Sequence, residues 1–115
     1  MAEDCLFCKI ASGQIPGDVV MQDEEAVAFR DINPQGPTHV LVIPRRHVGN
    51  AASVTPADAE LVGRLVLMAA RVAEQDGIQH SGYRLVFNVG AHGGESVPHL
   101  HLHLIGGRQL AWPPG

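Results

Sequence analysis

Residues 99–104 read His-Leu-His-Leu-His-Leu, and no other segment restricts the fold of this chain as tightly. Strict alternation is the period of a β-strand, whose successive side chains point to opposite faces. The leucines then enter a core, while His99, His101 and His103 project from the other face with neighbours about 6.5 to 7 Å apart. A face that needed only to be polar would more cheaply carry threonine or serine. Three imidazoles therefore point to a metal platform or to imidazole catalysis on a bound phosphate. The preceding loop, Gly90-Ala91-His92-Gly93-Gly94-Glu95-Ser96, supplies flexible amides and a hydroxyl, a cradle suited to phosphate oxygens. It favours the catalytic reading, since a bare metal site has no use for it.

The remaining pattern predicts a short helix over 5–11, strands over 18–22, 26–30, 39–43, 83–88 and 97–105, and one long helix opened by Thr55-Pro56-Ala57-Asp58 and closed by Gly77. Asp23-Glu24-Glu25 reads as a hairpin connection, and Arg45-Arg46 as a solvated turn. Leu61, Leu65, Met68 and Val72 recur at helical spacing and are expected to be core. Several connections are too short for parallel crossovers, so the expected fold is α+β: one domain over 1–115 with an antiparallel sheet of about five strands. Residues 106–115, with Trp112-Pro113-Pro114, form an irregular tail.

At 115 residues one core is expected. The net charge is −4 and the eight basic residues are scattered, which leaves no stripe to neutralise a polynucleotide. The acidic start lacks the charged-then-apolar order of a signal peptide, and no apolar run reaches membrane length. Nucleic-acid and membrane partners are thus not expected, and a cytoplasmic location is. In a reducing compartment the only two cysteines, Cys5 and Cys8, suit a metal or redox pair better than a disulfide, with buried core thiols the remaining alternative. A redox pair wants a strand before its helix, and four residues leave no room for one.

The run His99 to Ile105 matches the signature of the histidine-triad family, in which histidines alternate with apolar residues. Phe29-Arg30-Asp31-Ile32, Pro37-Thr38-His39, Val42-Ile43-Pro44, Gly94-Glu95-Ser96-Val97, Gly106-Gly107-Arg108-Gln109 and Trp112-Pro113-Pro114-Gly115 extend the resemblance over nearly the whole chain. They are similar to the purine nucleoside phosphoramidase branch. The resemblance implies a homodimer that hydrolyses purine nucleoside phosphoramidates, with acyl-adenylates as further substrates, to AMP.

It makes His101 the nucleophile that takes up the nucleotide, His103 a phosphate contact, and His99 and His39 orienting groups. Ser96, Asn88, Gly94 and Val97 would hold phosphate oxygens. Asp31 would accept from the ribose hydroxyls, Phe29 and Ile32 would line the purine pocket, and Trp112 would wall the leaving-group side. No cofactor is implied for the chemistry. Some members of the wider family pair an N-terminal Cys-x-x-Cys with two histidines, here His47 and His99, and for Cys5, Cys8, His47 and His99 that implies a closed structural zinc site. The alternatives are a dinucleoside polyphosphate hydrolase, a non-catalytic nucleotide-binding module and a metal sensor.

Overall fold

The computed structural model describes residues 4–115; the first three residues of the acidic start lie outside them. Helix α1 covers Leu6–Ala11. Strands β1 (Val19–Gln22), β2 (Ala26–Arg30) and β3 (Thr38–Pro44) follow. Helix α2 covers Ala59–Gln75, and β4 (Tyr83–Val86) and β5 (Leu102–Gly106) complete the chain. The five strands form one sheet in the order β1-β2-β3-β5-β4, every neighbouring pair antiparallel. This is the α+β domain expected from the sequence, and no helix among the described residues is long and apolar enough to cross a membrane.

Both faces of the sheet are covered, which explains why β2 and β3 are almost uninterruptedly apolar. Antiparallel strands with one solvated face alternate, whereas strands buried on both sides do not. One face packs under α2, where Leu65, Met68 and Val72 meet Ala26, Ala28, Val40, Val42, Leu100, Leu102 and Leu104. The other face carries Val27, Phe29, Leu41 and Ile43 under Cys5 and Phe7. At six residues, α1 is about 9 Å long, and five strands span about 19 Å, so α1 leaves part of its face open. That gap becomes the site.

The connections carry their own chemistry. Asp23 turns the first hairpin by accepting the amides of Glu25 and Ala26, as the acidic run suggested. Thr55 and Asp58 cap the start of α2 reciprocally through a short 3-10 turn at Pro56–Asp58. Arg45 and Arg46 do more than sit in a solvated turn. Arg45 donates to the carbonyls of Ala11 and Asp23 and to Gln22, while Arg46 pairs with Asp58. They clamp α1, the first hairpin and the α2 cap around the end of β3.

Two strands are shorter than the pattern predicts by more than one residue. β5 begins at Leu102 rather than Val97, and β4 ends at Val86 rather than Asn88. Pro98 has no amide to give a ladder. The His99 amide instead turns back to the Val97 carbonyl, and the Leu100 amide bonds Val48 outside the sheet. β4 then ends with Val86 opposite His103, where its partner runs out. The alternation survives without the strand, because Leu100, Leu102 and Leu104 are all buried.

Candidate active site

The register of the sheet assembles the site. Phe29 pairs with Leu41, and Leu41 pairs with His103, so the three form a row across β2, β3 and β5 on the α1 face. His39 stands opposite Ile105 on the same face, one diagonal step from His103. His101, just before β5, continues the face. Its ring lies 5.0 Å from that of His103 and meets Phe7 edge-on at 5.2 Å. Phe7 also contacts Phe29 and His99, so this residue, one of the two between the cysteines, is the common wall of the cluster. Sequence reasoning stopped at Cys5 and Cys8 and missed it.

A cleft of about 430 Å³ opens along this face, lined by Leu6, Ile10, Phe29, Asp31, Ile32, Ser96, Val97, His101 and His103 among others. It is apolar at the Phe29 end and polar at the histidines, as suits a ligand with a flat ring and an anionic group. A larger cleft of about 620 Å³ lies between β4 and the tail and holds no histidine or cysteine. Its two arginines are engaged with main-chain carbonyls, Arg84 with Ala111 and Arg108 with Gln35 and Gln109. Volume alone would select this second cleft, which offers none of the imidazole chemistry.

The histidines are bound by main-chain groups. The His101 Nδ1 lies 2.7 Å from the carbonyl of His99. A carbonyl only accepts, so Nδ1 carries a proton and, in the neutral ring, Nε2 keeps the lone pair. By the same reasoning His99 donates from Nε2 to the Pro44 carbonyl at 2.8 Å, which leaves its Nδ1 free. The Gln35 amide donates to His39 Nδ1 at 3.0 Å, and His39 Nε2 lies 2.9 Å from His103 Nδ1. Burial pushes His39 and His99 below the usual imidazole range. Burial, with His101 and His39 adding to it, takes His103 down to about 4. His103 is neutral throughout the physiological range.

The other expected site residues divide by position. Ser96 and Val97 line the cleft; Asn88 lies with Phe87 and Glu95 in a narrow crevice on another side of His101. Asp31 accepts from the Asn33 amide and stands 3.5 Å from His39 Nε2. Ile32 sits at the cleft rim, fully exposed. Gly94 lies in the exposed loop with φ +78, a left-handed conformation that favours glycine. That loop is tied down by Glu95, which accepts from the Gly90 amide and from Asn50; the Gly90 amide, then Asn50, hold its carboxyl below the usual range. Trp112 is 82% exposed and does not line the cleft of this chain.

Cys5, Cys8, His47 and His99 converge beside the cleft, their ligand atoms all within 4.8 Å of one another. Both thiols lie 3.3 to 3.4 Å from His99 Nδ1, and Cys8 is 3.4 Å from His47 Nδ1. A tetrahedral ion with sulfur at about 2.3 Å and nitrogen at about 2.0 Å spaces those ligands about 3.5 Å apart. His99 offers its unprotonated nitrogen to the cluster while its other nitrogen is held by Pro44, the arrangement of a metal-ligating imidazole. The donor set fits zinc.

A family model described as the HIT domain matches residues 12–110. A purine nucleoside phosphoramidase of Escherichia coli is 47% identical over 110 residues, covering 96% of this chain and 92% of the relative. An uncharacterized HIT-like protein of Synechococcus elongatus is 48% identical over the full length of both chains. Among solved structures, a HIT family hydrolase of Legionella pneumophila superimposes with a TM-score of 0.95 at 52% identity, covering 96% of this chain and 99% of that one.

Proposed function

This chain belongs to the HIT domain family, and from that membership and the cleft we propose that it hydrolyses purine nucleoside phosphoramidates to AMP through a nucleotidyl-His101 intermediate. The observation that carries the reading is the His101–His99 main-chain bond, which puts the lone pair of the neutral ring on Nε2 at the cleft. Only an imidazole nitrogen with a lone pair can attack phosphorus.

In the first step His101 Nε2 bonds to the α-phosphorus and the bond to the leaving amine breaks, the amine nitrogen taking a proton from solvent as it departs. Water then attacks the same phosphorus and gives up a proton to solvent, the bond to His101 breaks, AMP leaves and the imidazole returns to its starting form. His103, neutral, donates to a phosphate oxygen in both steps, with Ser96, Asn88 and the main chain near Gly94 and Val97 as further donors. Phe29 and Ile32 flank the purine, and Asp31 accepts from the ribose. Trp112 stands outside the cleft of its own chain, so its role as a wall to the leaving group would be met by the tail of a second copy in a homodimer.

Zinc held by Cys5, Cys8, His47 and His99 would be structural. All four positions are filled by protein, leaving none for water or substrate. It would lock α1 to the end of β3 and the approach to β5, and with them Phe7 against His101.

Steady-state turnover of an AMP-amine substrate against a diadenosine polyphosphate tests the assignment. The phosphoramidate is expected to be the better substrate by kcat/KM, and its deoxyribose analogue worse because Asp31 is left without a donor. A preference for the dinucleotide would overturn it.

A further inference from the structure

Asp31, His39 and His103 form a second group of potential ligands, with their ligand atoms again within 4.8 Å of one another. Two imidazoles and a carboxylate are a donor set that transition metals use. The hydrogen-bond pattern excludes that use and assigns the group another. The amide of Gln35 can only donate, and it points at His39 Nδ1. In neutral His39 that nitrogen holds the lone pair, so the proton is on Nε2. A nitrogen bearing a proton has no pair for a metal. The contrast with His99, whose free nitrogen faces two thiols, rests on the same rule with the opposite result.

The consequence passes to the next ring. His39 Nε2–H lies 2.9 Å from His103 Nδ1 and 3.5 Å from the Asp31 carboxylate, so its single proton goes to His103. His103 Nδ1 must then accept, and neutral His103 must carry its own proton on Nε2. We propose that the Gln35 main-chain amide is a positioning group that sets the tautomers of His39 and His103 in series, making His103 an obligatory Nε2–H donor at the cleft. The proposal rests on the reading of His103 as a phosphate contact for its catalytic meaning, though not for its geometry.

The amide is held in place from the tail. Arg108 donates from Nε to the Gln35 carbonyl at 2.9 Å. A side chain at Gly36 would meet the Gly106 carbonyl at 2.9 Å, and one at Gly107, where φ is +87, would meet Pro37 at 2.8 Å. The close approach of Gly106-Gly107-Arg108 to the 33–37 loop therefore needs both glycines. This gives the tail segment a function at the site although none of its residues lines the cleft.

Histidine ring ¹⁵N NMR on the ligand-free wild type at neutral pH reads the tautomers directly, whatever the protein turns over. Both His39 and His103 are expected as Nε2–H. His103 found as Nδ1–H, or His39 found protonated on Nδ1, would overturn the proposal. Gln35→Ala keeps the amide and should leave both signatures unchanged; Gln35→Pro removes it and should leave His39 in mixed tautomers. Where Gln35→Pro fails to fold, position 39 carries the test. His39→Leu should mix the His103 tautomers and lower kcat roughly tenfold to a hundredfold with little change in KM, and His39→Gln, which restores a donor, should recover the His103 signature and most of the turnover. A His103 signature indifferent to His39→Leu would overturn the relay. Correct tautomers in a protein without phosphoramidase turnover would uphold the relay and count against the proposed function instead.

Discussion

At the scale of single residues, the candidate site is a place where protons are fixed. Four buried or half-buried histidines lie within reach of one another, and an imidazole can hold its proton at either nitrogen. Main-chain groups of His99, Pro44 and Gln35 remove that freedom. Keeping His103 neutral has a consequence for stability. In the unfolded chain its pKa is near 6.5, and in the folded protein about 4. Above pH 6.5 both states are neutral and the group contributes nothing. Between pH 6.5 and 4 the unfolded state binds a proton that the folded state refuses, so stability falls as pH falls, by an amount on the order of 3 kcal/mol. Urea unfolding between pH 7.5 and 4.5 should show that slope in the wild type and a shallower one in His103→Gln.

The triad itself was legible, because alternation and residue type coincide in one hexapeptide. Phe7, the tie made by Glu95 and the Gln35 amide were not: Phe7 carries no pattern that marks it, Glu95 lay in a recognised segment that did not show its partners, and the third acts through an atom every residue but proline possesses.

At the scale of elements, helices and strands are positioned by a few polar ties. Asp76 caps the C-terminus of α2, where a carboxylate opposes the helix dipole. Its reason is tertiary. Both its oxygens accept from Arg30 on β2, at 2.8 and 2.9 Å, and one also accepts from Thr38 on β3 at 2.8 Å. The Arg30 guanidinium, more than the Thr38 hydroxyl, holds its carboxyl below the usual range. Asp76→Ala leaves a half-buried guanidinium and a hydroxyl without partners and should lower the unfolding free energy by about 2 to 3 kcal/mol, measured by denaturant titration.

The cysteine cluster would be a further tie with zinc held in it. Cys5→Ser with Cys8→Ser should lower zinc content and thermal stability together, while the folded fraction keeps most of its turnover. Turnover lost in step with zinc from protein that is still folded would contradict a structural role. Strand type and order of appearance could be read from the sequence. Pro98 signalled the late start of β5, although the alternation was followed through it; the early end of β4 could not be read, because it follows from the pairing, with Val48, a residue far away in the chain, taking the Leu100 amide.

At the scale of the whole molecule, the sheet is a partition. Its α2 face is closed by an amphipathic helix of 17 residues, and its α1 face is left open because six residues cannot cover it. The site occupies what remains, so the same shortness of α1 that weakens one layer creates the cleft. That asymmetry was implicit in the predicted helix lengths. The position of the tail was not: Trp112, expected at the leaving-group side, is 82% exposed and does not line the cleft of its own chain.

The central claim is that His101 becomes covalently bonded to the nucleotide. Mixing the protein with an AMP phosphoramidate, quenching within the first turnover and measuring intact mass tests it most directly. A mass increase of one AMP unit, mapped by peptide analysis to His101 and lost in His101→Ala, is the result expected. Turnover with no adduct at any quench time, or an adduct on another residue, would contradict the account.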